Sequence, residues 1–376
     1  MKNKKIALLL AACMITASFT ACTGEVTPSA STESSTSSEE SSTVDTSEEE
    51  SSEEVAELTN EERIIIASEE GTIGNWGLGN EYEILALLAK YELPLTFLSQ
   101  NFDMDAFDND SITLASAMTY NELGLVINDY DGGYGYGDTV DYITMNEEGV
   151  AMLEDNIFCT AEFAEENPNT VAAFVQASLK GWEYACANPE EAAEIVYNAG
   201  SSVSSEHQLY MAEEVAKLVT TDTTGATVSD YGYIDEDAMA QTLELAQQYL
   251  TFDDSTAVDA LAEMTTSDLY DSSFLTSEIG ELEKTEVSIQ LKWLPQAQFM
   301  GYYVAEALGY YEEVGLTVNI VSGGGDIGET TAVYNGTVDF GVTWVSNLIS
   351  ANSAGMDLLE VAQVYQSSGL VLVYKK

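Results

Sequence analysis

The feature that most constrains the fold is the alternation of short apolar strands and helices in residues 287–376. Val287, Ile289 and Leu291 alternate as in a strand, a helical segment follows, and Val318 and Ile320 lie in the next strand. The same order then repeats as far as Tyr374. Strand, helix and strand in this order predict an α/β fold with parallel sheets and helices on both faces. In such sheets, ligands bind beyond the carboxyl ends of the strands.

The earlier part of the sequence predicts a second, less regular α/β region followed by helices. Strands are predicted at residues 72–76 and 112–120, with a helix between them. From Pro168 onward, apolar residues recur at helical spacing, and a proline suits the first turn of a helix. A folded part of this length is typical of two lobes rather than one small domain.

The N-terminus predicts a lipoprotein signal peptide in residues 1–21. Three lysines precede a short apolar run, and small residues then flank Cys22. The run is too short for a membrane-spanning helix. We therefore expect export and lipidation of Cys22. Cleavage before Cys13 is the alternative, but it would leave only a stub of the apolar run.

Residues 22–60 are predicted to form a disordered tether, because they are almost entirely Ser, Thr and Glu and cannot bury enough surface to fold. The whole chain has 65 acidic and 11 basic residues. Such a charge excludes nucleic acid as a partner, since phosphate binding needs a basic surface. Cys159 and Cys186 lack metal-ligand spacing and are predicted to be buried thiols.

Several segments resemble a known family. In residues 287–376, "SIQLKWLPQAQFMGYYVAEALGYYEEVGLTVNIVSGGGDI", "NGTVDFGVTW" and "VYQSSGLVLV" are similar to the N-terminal lobe of ABC-importer solute-binding proteins for thiamine-pyrimidine precursors, a group related to alkanesulfonate and nitrate binders. The earlier "GNEYEILALLAKY", "AMTYNEL" and "FVQASLKGWEYACANPEEAAEIV" resemble the middle and end of the same family. The resemblance implies a two-lobed, periplasmic-binding-protein-like (type II) fold with a ligand cleft between the lobes.

The order of these segments is reversed relative to the family, which indicates a circular permutation. By resemblance, residues 72–155 form the smaller lobe and residues 156–376 the larger one. The new chain ends are predicted to fall near one of the two interlobe crossings, which would leave that crossing cut. A truncated tandem gene or an assembly fault is the alternative explanation of the order.

The candidate binding residues are aromatic and polar side chains near the ends of strands or the starts of helices. Aromatic faces and a few directed polar groups suit a small flat ring with amino substituents. The resemblance gives most weight to Trp293, Glu83 and Asp326. The full set is Asn80, Tyr82, Glu83, Tyr120, Asn121, Glu122, Trp293, Tyr302, Tyr303, Asp326 and Trp344. Each has a plainer interpretation: Tyr302 and Tyr303 as core residues, and Asn80 as a helix cap.

The sequence favours a binding protein over an enzyme. Eukaryotic relatives of the family synthesise the thiamine pyrimidine with pyridoxal phosphate, but here His207 is the one histidine and lies far in sequence from the site motifs. Lys292 could form a Schiff base or simply an ion pair. We expect no cofactor, no metal, a monomer, a pyrimidine-like ligand, and ABC permease subunits and the membrane as partners. Riboflavin, a sulfonate or nitrate as ligand, and an adhesin or sensor role, are the alternatives.

Overall fold

The structure is a computed structural model that describes residues 58–324 and 328–376. The predicted signal peptide, nearly all of the predicted tether, and the candidate residues Cys22 and Asp326 lie outside these ranges. Residues from Glu57 to Lys376 form one compact unit. In the described part of the chain, no helix combines the length and apolar character that crossing a bilayer requires.

The order of helices and strands follows the α/β alternation predicted from the sequence. The α-helices of the described ranges are α1 Asn60–Glu70, α2 Glu81–Lys90, α3 Asp105–Asp108, α4 Glu122–Ile127, α5 Met145–Glu148, α6 Ala161–Glu166, α7 Pro168–Ala187, α8 Pro189–Asn198, α9 Ser205–Thr220, α10 Glu236–Tyr249, α11 Ser255–Glu263, α12 Met300–Ala307, α13 Tyr310–Glu313, α14 Glu329–Tyr334 and α15 Val345–Ser353. The strands are β1 Ile73–Asn75, β2 Leu98–Ser99, β3 Leu114–Met118, β4 Val140–Thr144, β5 Asn156–Thr160, β6 Glu286–Gln290, β7 Thr317–Val321, β8 Phe340–Thr343, β9 Leu358–Gln363 and β10 Leu370–Lys375.

The strands form two five-stranded sheets with the same plan. The first sheet has the order β2-β1-β3-β10-β4, and the second has the order β7-β6-β8-β5-β9. In the first, β1 is parallel to β2 and β3, while β10 is antiparallel to β3 and β4. In the second, β6 is parallel to β7 and β8, while β5 is antiparallel to β8 and β9. Both sheets are therefore mixed rather than purely parallel.

The antiparallel strand of each sheet is the one that enters from the other sheet. The chain leaves the first sheet after β4 and reaches β5 of the second sheet through residues 149–155. It returns from β9 to β10 through residues 364–369. Both crossings are continuous, so the expectation that one of them is cut is wrong. The strand β10, which the sequence assigned to the larger lobe, pairs with strands of the first sheet.

The helix α7 packs on the second sheet and shows how the core beside that sheet is built. Pro168 occupies its first turn, and its buried face includes Phe174, which stacks on Phe340 of β8 with ring centroids 4.0 Å apart. Further along, Trp182 packs on α12 at Gly301, where a Cβ atom would collide with the indole ring. The close approach of the two helices thus depends on a residue without a side chain.

Candidate functional site

A cavity of about 130 Å³ lies where loops from both sheets meet. Its lining residues follow the ends of β1 and β3 in the first sheet and of β6 and β8 in the second. The carboxyl ends of parallel strands are where α/β sheets place ligand-binding side chains. The lining residues are Trp76, Leu78, Phe102, Met118, Tyr120, Asn121, Glu122, Lys292, Trp293, Gln296, Gln298 and Trp344.

Aromatic rings that follow strands of both sheets form one wall of this cavity. The ring of Phe102 lies 6.4 Å from that of Trp76 and 5.2 Å from that of Trp293, measured between centroids. Phe102 thus joins a tryptophan that follows β1 to one that follows β6. Rings at these distances offer broad apolar faces, and such faces suit a flat aromatic ligand.

Polar lining residues of the cavity come from the segment that follows β3. Glu122 accepts hydrogen bonds from the backbone N–H of Met118 at 2.9 Å and from the side-chain amide of Asn121 at 2.8 Å. Burial raises the pKa of Glu122 to about 7, against the lowering effect of these hydrogen bonds. The group can therefore accept or donate a hydrogen bond near neutral pH.

Lys292 supplies the one basic side chain among the described lining residues. Its ammonium group lies 3.3 Å from Oε1 of Glu329 and 4.4 Å from the ring centroid of Trp344. The same Glu329 oxygen accepts a hydrogen bond from the hydroxyl of Thr343 at 2.6 Å. The cation is held by a carboxylate and an aromatic face, an arrangement that stabilises a charge in a partly buried position.

The backbone that carries Lys292 is fixed by a neighbouring glycine. Gly323 donates its N–H to the carbonyl of Trp293 at 2.9 Å. A Cβ atom at Gly323 would collide with the backbone of Leu291 and Lys292. Gly323 therefore permits a close backbone approach at the edge of the site.

Two glutamines connect the cavity to the first crossing between the sheets. Gln296 donates to the side-chain oxygen of Gln298 at 2.7 Å, and Gln298 donates to Asp155 at 2.9 Å. Burial raises the pKa of Asp155 to about 7, although the Gln298 hydrogen bond and the charge of Lys292 act in the opposite direction. A network of side-chain amides thus ties the cavity to residues 149–155.

A second cavity of about 410 Å³ adjoins the first. The two share Leu78, Lys292 and Trp293 as lining residues. Its other walls come largely from α14 and α15, including Glu329 and Asn347. A ligand larger than one ring would have to extend into this space.

The structure brings together five of the residues proposed from the sequence. They line the first cavity and come from both sheets: Tyr120, Asn121, Glu122, Trp293 and Trp344. Tyr120 is almost fully buried and packs edge-on against Tyr365 with a centroid distance of 5.8 Å. It therefore contributes to the floor of the cavity as well as to the core.

The three proposed residues at the start of α2 have other partners. Glu83 is 1% exposed and accepts a hydrogen bond from the N–H of Met152 at 2.9 Å, so its carboxyl group faces the crossing segment. Asn80 does not cap the helix with its side chain; it accepts a hydrogen bond from Asn75 at 3.3 Å. Tyr82 packs against the apolar cluster beneath α10 and α15.

The two proposed tyrosines of α12 also lie away from the first cavity. Tyr302 is fully buried and meets Trp182 edge-on at a centroid distance of 5.6 Å, in the contact between α7 and α12. Tyr303 is 7% exposed, and burial raises its pKa to about 12. The burial of Tyr302 beside Gly301 is therefore explained by the packing of α7 on α12.

Sequence reasoning missed several lining residues. Trp76 and Leu78 directly follow β1, and Gln296 and Gln298 lie in the loop that follows Trp293. The strand-end rule used for Tyr120 and Trp344 also indicates Trp76. Phe102 had no such signal, because it reaches the cavity from the loop after the two-residue edge strand β2.

A family model described as NMT1/THI5 like matches residues 71–192 and 296–376, which together make up more than half of the chain. The chain belongs to the NMT1/THI5-like family. This family comprises ABC solute-binding proteins of the alkanesulfonate and thiamine-precursor type, and such proteins act outside the cytoplasm. Most NMT1/THI5-like members are binding proteins, although one is a pyrimidine synthase. A search of curated proteins gave no match.

The NMT1/THI5-like segments contain most of the cavity wall. Tyr120, Asn121, Glu122 and Trp344 lie within the matched residues. Lys292 and Trp293 lie just before the second matched segment. The mixed α/β architecture with two sheets is consistent with a two-lobed NMT1/THI5-like binding protein.

Proposed function

We propose that the protein is a lipid-anchored solute-binding protein of an ABC importer that captures a thiamine pyrimidine precursor of the hydroxymethylpyrimidine or formylaminopyrimidine type. The observation that carries this proposal is the composition of the first cavity. Aromatic rings that follow strands of both sheets line a small space together with side-chain amides and a carboxyl group. The ligand binds as the two lobes close on it.

The size of the cavity favours a single ring. Sites for drug-sized ligands usually have roughly 300–1,000 Å³, whereas this cavity has about 130 Å³. An aminopyrimidine stacks on Trp293 or Phe102 and directs its edge at Asn121 and Glu122. Riboflavin would need the adjoining cavity as well.

The basic side chains argue against a sulfonate or nitrate. The whole sequence contains one arginine, Arg63, and it lies over the ring of Tyr374 near the end of β10; neither residue lines the cavity. Arginine is the usual bidentate ligand of oxyanions. Lys292 is already engaged with Glu329.

The lining residues do not fit pyridoxal phosphate. That cofactor needs a free amine for its Schiff base. Among the described lining residues Lys292 supplies the one amine, and its ammonium group is already held by Glu329 at 3.3 Å and by the ring of Trp344 at 4.4 Å. We therefore favour binding over catalysis.

The reversed order of the family segments supports a circular permutation. In this proposal, residues 287–376 correspond to the start of the family fold and the earlier segments to its middle and end. The continuous crossings at 149–155 and 364–369 mean that the permutation leaves the hinge intact. Lobe opening is then expected to match that of unpermuted relatives.

A ligand panel tests the proposed function. Three of the four tryptophans line the cavity, and the fourth, Trp182, is buried elsewhere, so intrinsic fluorescence reports on the site. We expect hydroxymethylpyrimidine or formylaminopyrimidine to quench this fluorescence and raise the melting temperature by mass action. Riboflavin, taurine and nitrate are the matched comparisons. A response to one of these three and none to the pyrimidines refutes the proposal.

The anchor and the transport role need separate experiments. We expect labelled palmitate to be incorporated into the wild-type protein and not into Cys22→Ser. Deletion of the gene is expected to abolish uptake of the pyrimidine. Normal uptake together with altered signalling would instead support a sensor.

A further inference from the structure

The one histidine of the sequence connects the helical part of the second region to the cavity wall. His207 lies in the first turn of α9, a helix that packs mainly on α7 and α8. Its imidazole is 1% exposed. Nδ1 lies 2.6 Å from the hydroxyl of Tyr130, and Nε2 lies 2.9 Å from Oδ1 of Asn121. Both partners lie between β3 and β4, two strands of the first sheet.

These partners define one consistent arrangement of protons. The amide oxygen of Asn121 can only accept, so Nε2 of His207 must carry the hydrogen. Nδ1 is then the acceptor, and the hydroxyl of Tyr130 donates to it. Burial lowers the pKa of His207 to about 4, which agrees with a neutral ring.

The same chain of hydrogen bonds reaches the cavity through Asn121. With its oxygen bound to His207, the amide nitrogen of Asn121 points the other way and donates to Glu122 at 2.8 Å. Both Asn121 and Glu122 line the cavity. An amide nitrogen carries two hydrogens, and the bond to Glu122 uses one of them.

A second residue of α9 adds to the contact between this helix and the loop after β3. Tyr210 lies one turn after His207, stacks parallel to it at a centroid distance of 6.1 Å, and donates to the carbonyl of Thr119 at 2.7 Å. Its ring also packs against Gly124, where a Cβ atom would collide with it. This face of α9 is therefore shaped to contact the loop after β3.

We propose that His207 is a positioning residue that fixes the Asn121 amide so that its remaining N–H is offered to an acceptor atom of the ligand, such as a ring nitrogen or a carbonyl oxygen. This inference rests on the proposed binding function for its ligand, but not for its geometry. His207 itself does not contact the ligand. It selects ligands by fixing whether the Asn121 side chain presents a hydrogen-bond donor or an acceptor to the cavity. It also joins α9 to the loop that carries two of the lining residues.

Nuclear magnetic resonance tests the geometry without a ligand. Because the sequence has one histidine, its ring nitrogens give a single pair of signals. We expect the Nε2–H tautomer at pH 7, and we expect the Nε2–H signal to shift in Asn121→Ala and the Nδ1 signal to shift in Tyr130→Phe. Tyr334→Phe, at an exposed tyrosine of α14, is the control and leaves both unchanged. An Nδ1–H tautomer or a charged ring overturns the inference.

A double-mutant cycle tests the effect on binding, with hydroxymethylpyrimidine as the probe. His207→Phe keeps an aromatic ring and removes both hydrogen bonds. We expect it to weaken affinity about tenfold, the cost of one misplaced hydrogen-bond donor. In an Asn121→Ala background, the same change is expected to have little further effect, because His207 acts through Asn121.

The outcomes separate the two proposals. Full additivity of the two changes, with both variants folded by circular dichroism, overturns the positioning role while leaving the ligand assignment intact. If no pyrimidine binds but the tautomer and its response to Asn121→Ala are as expected, the ligand assignment fails and the positioning geometry stands.

Discussion

Glu83→Gln is expected to change how the stability of the protein depends on pH. The Glu83 carboxyl group is buried beside the crossing segment and accepts from Met152. Burial raises its pKa to about 8, from an ordinary value of 4.5. Nearby Glu154 is also buried, and its pKa is raised by burial and by the charge of Glu83. The folded protein thus keeps a proton that the unfolded chain releases.

The sign and size follow from proton linkage. Stability from a raised carboxyl pKa is complete below pH 4.5 and is lost as the pH rises towards 8. One retained proton costs about 1.4 kcal/mol per pH unit. From pH 5.5 to 7.5, Glu83 therefore lowers the free energy of unfolding by up to about 3 kcal/mol. Glutamine keeps an acceptor for Met152 and cannot ionise, so the variant lacks this loss.

Urea denaturation followed by circular dichroism measures the effect. We expect the stability difference between Glu83→Gln and wild type to shift in favour of the variant by up to about 3 kcal/mol between the two pH values. Glu244→Gln, an exposed glutamate on α10, is the control and should show no such shift. Equal pH slopes for Glu83→Gln and wild type would refute the reasoning, because they would mean that Glu83 is ionised in the folded protein.

Three further changes test the site and the packing. Trp293→Ala is expected to weaken pyrimidine binding at least tenfold by removing a cavity ring, whereas Leu294→Ala at its exposed neighbour should not; fluorescence titration compares them. Gly301→Ala should lower the free energy of unfolding by about 1–3 kcal/mol, because the new methyl group meets Trp182; a stability equal to wild type in urea would contradict the packing described for α7 and α12. Thr59→Ala should cost about 1 kcal/mol, because Thr59 and the third helical residue form a capping box at the start of α1; hydrogen exchange in α1 should rise, and unchanged protection would contradict it.

The fold could be predicted largely from the sequence because its strands and helices have strong local signals. Val287, Ile289 and Leu291 alternate as a strand should, and Pro168 marks the start of α7. The assignment of β10 to a sheet could not be predicted in this way. Its apolar pattern fits either sheet, and its pairing with β3 and β4 depends on where the crossing at 364–369 directs the chain.

The candidate site could be predicted only where a residue lies within a few positions after a strand. Trp293, Trp344 and Tyr120 obey that rule. Glu83 looked like a ligand-binding residue because it is a carboxylate near a helix start, yet its partner is a backbone amide far away in sequence. Nothing local distinguishes a carboxyl group that faces a hinge from one that faces a cavity. The contacts of His207 have no local signal for the same reason, since both of its partners are distant in sequence.

The helix α1 and the strand β10 both belong to the first region, with Arg63 of α1 lying over the ring of Tyr374. If the lobes open as proposed, fluorescent dyes placed on α1 and on β10 would move together, and energy transfer between them would stay constant. A reporter of the motion needs one dye there and the other beyond a crossing, for example on α10.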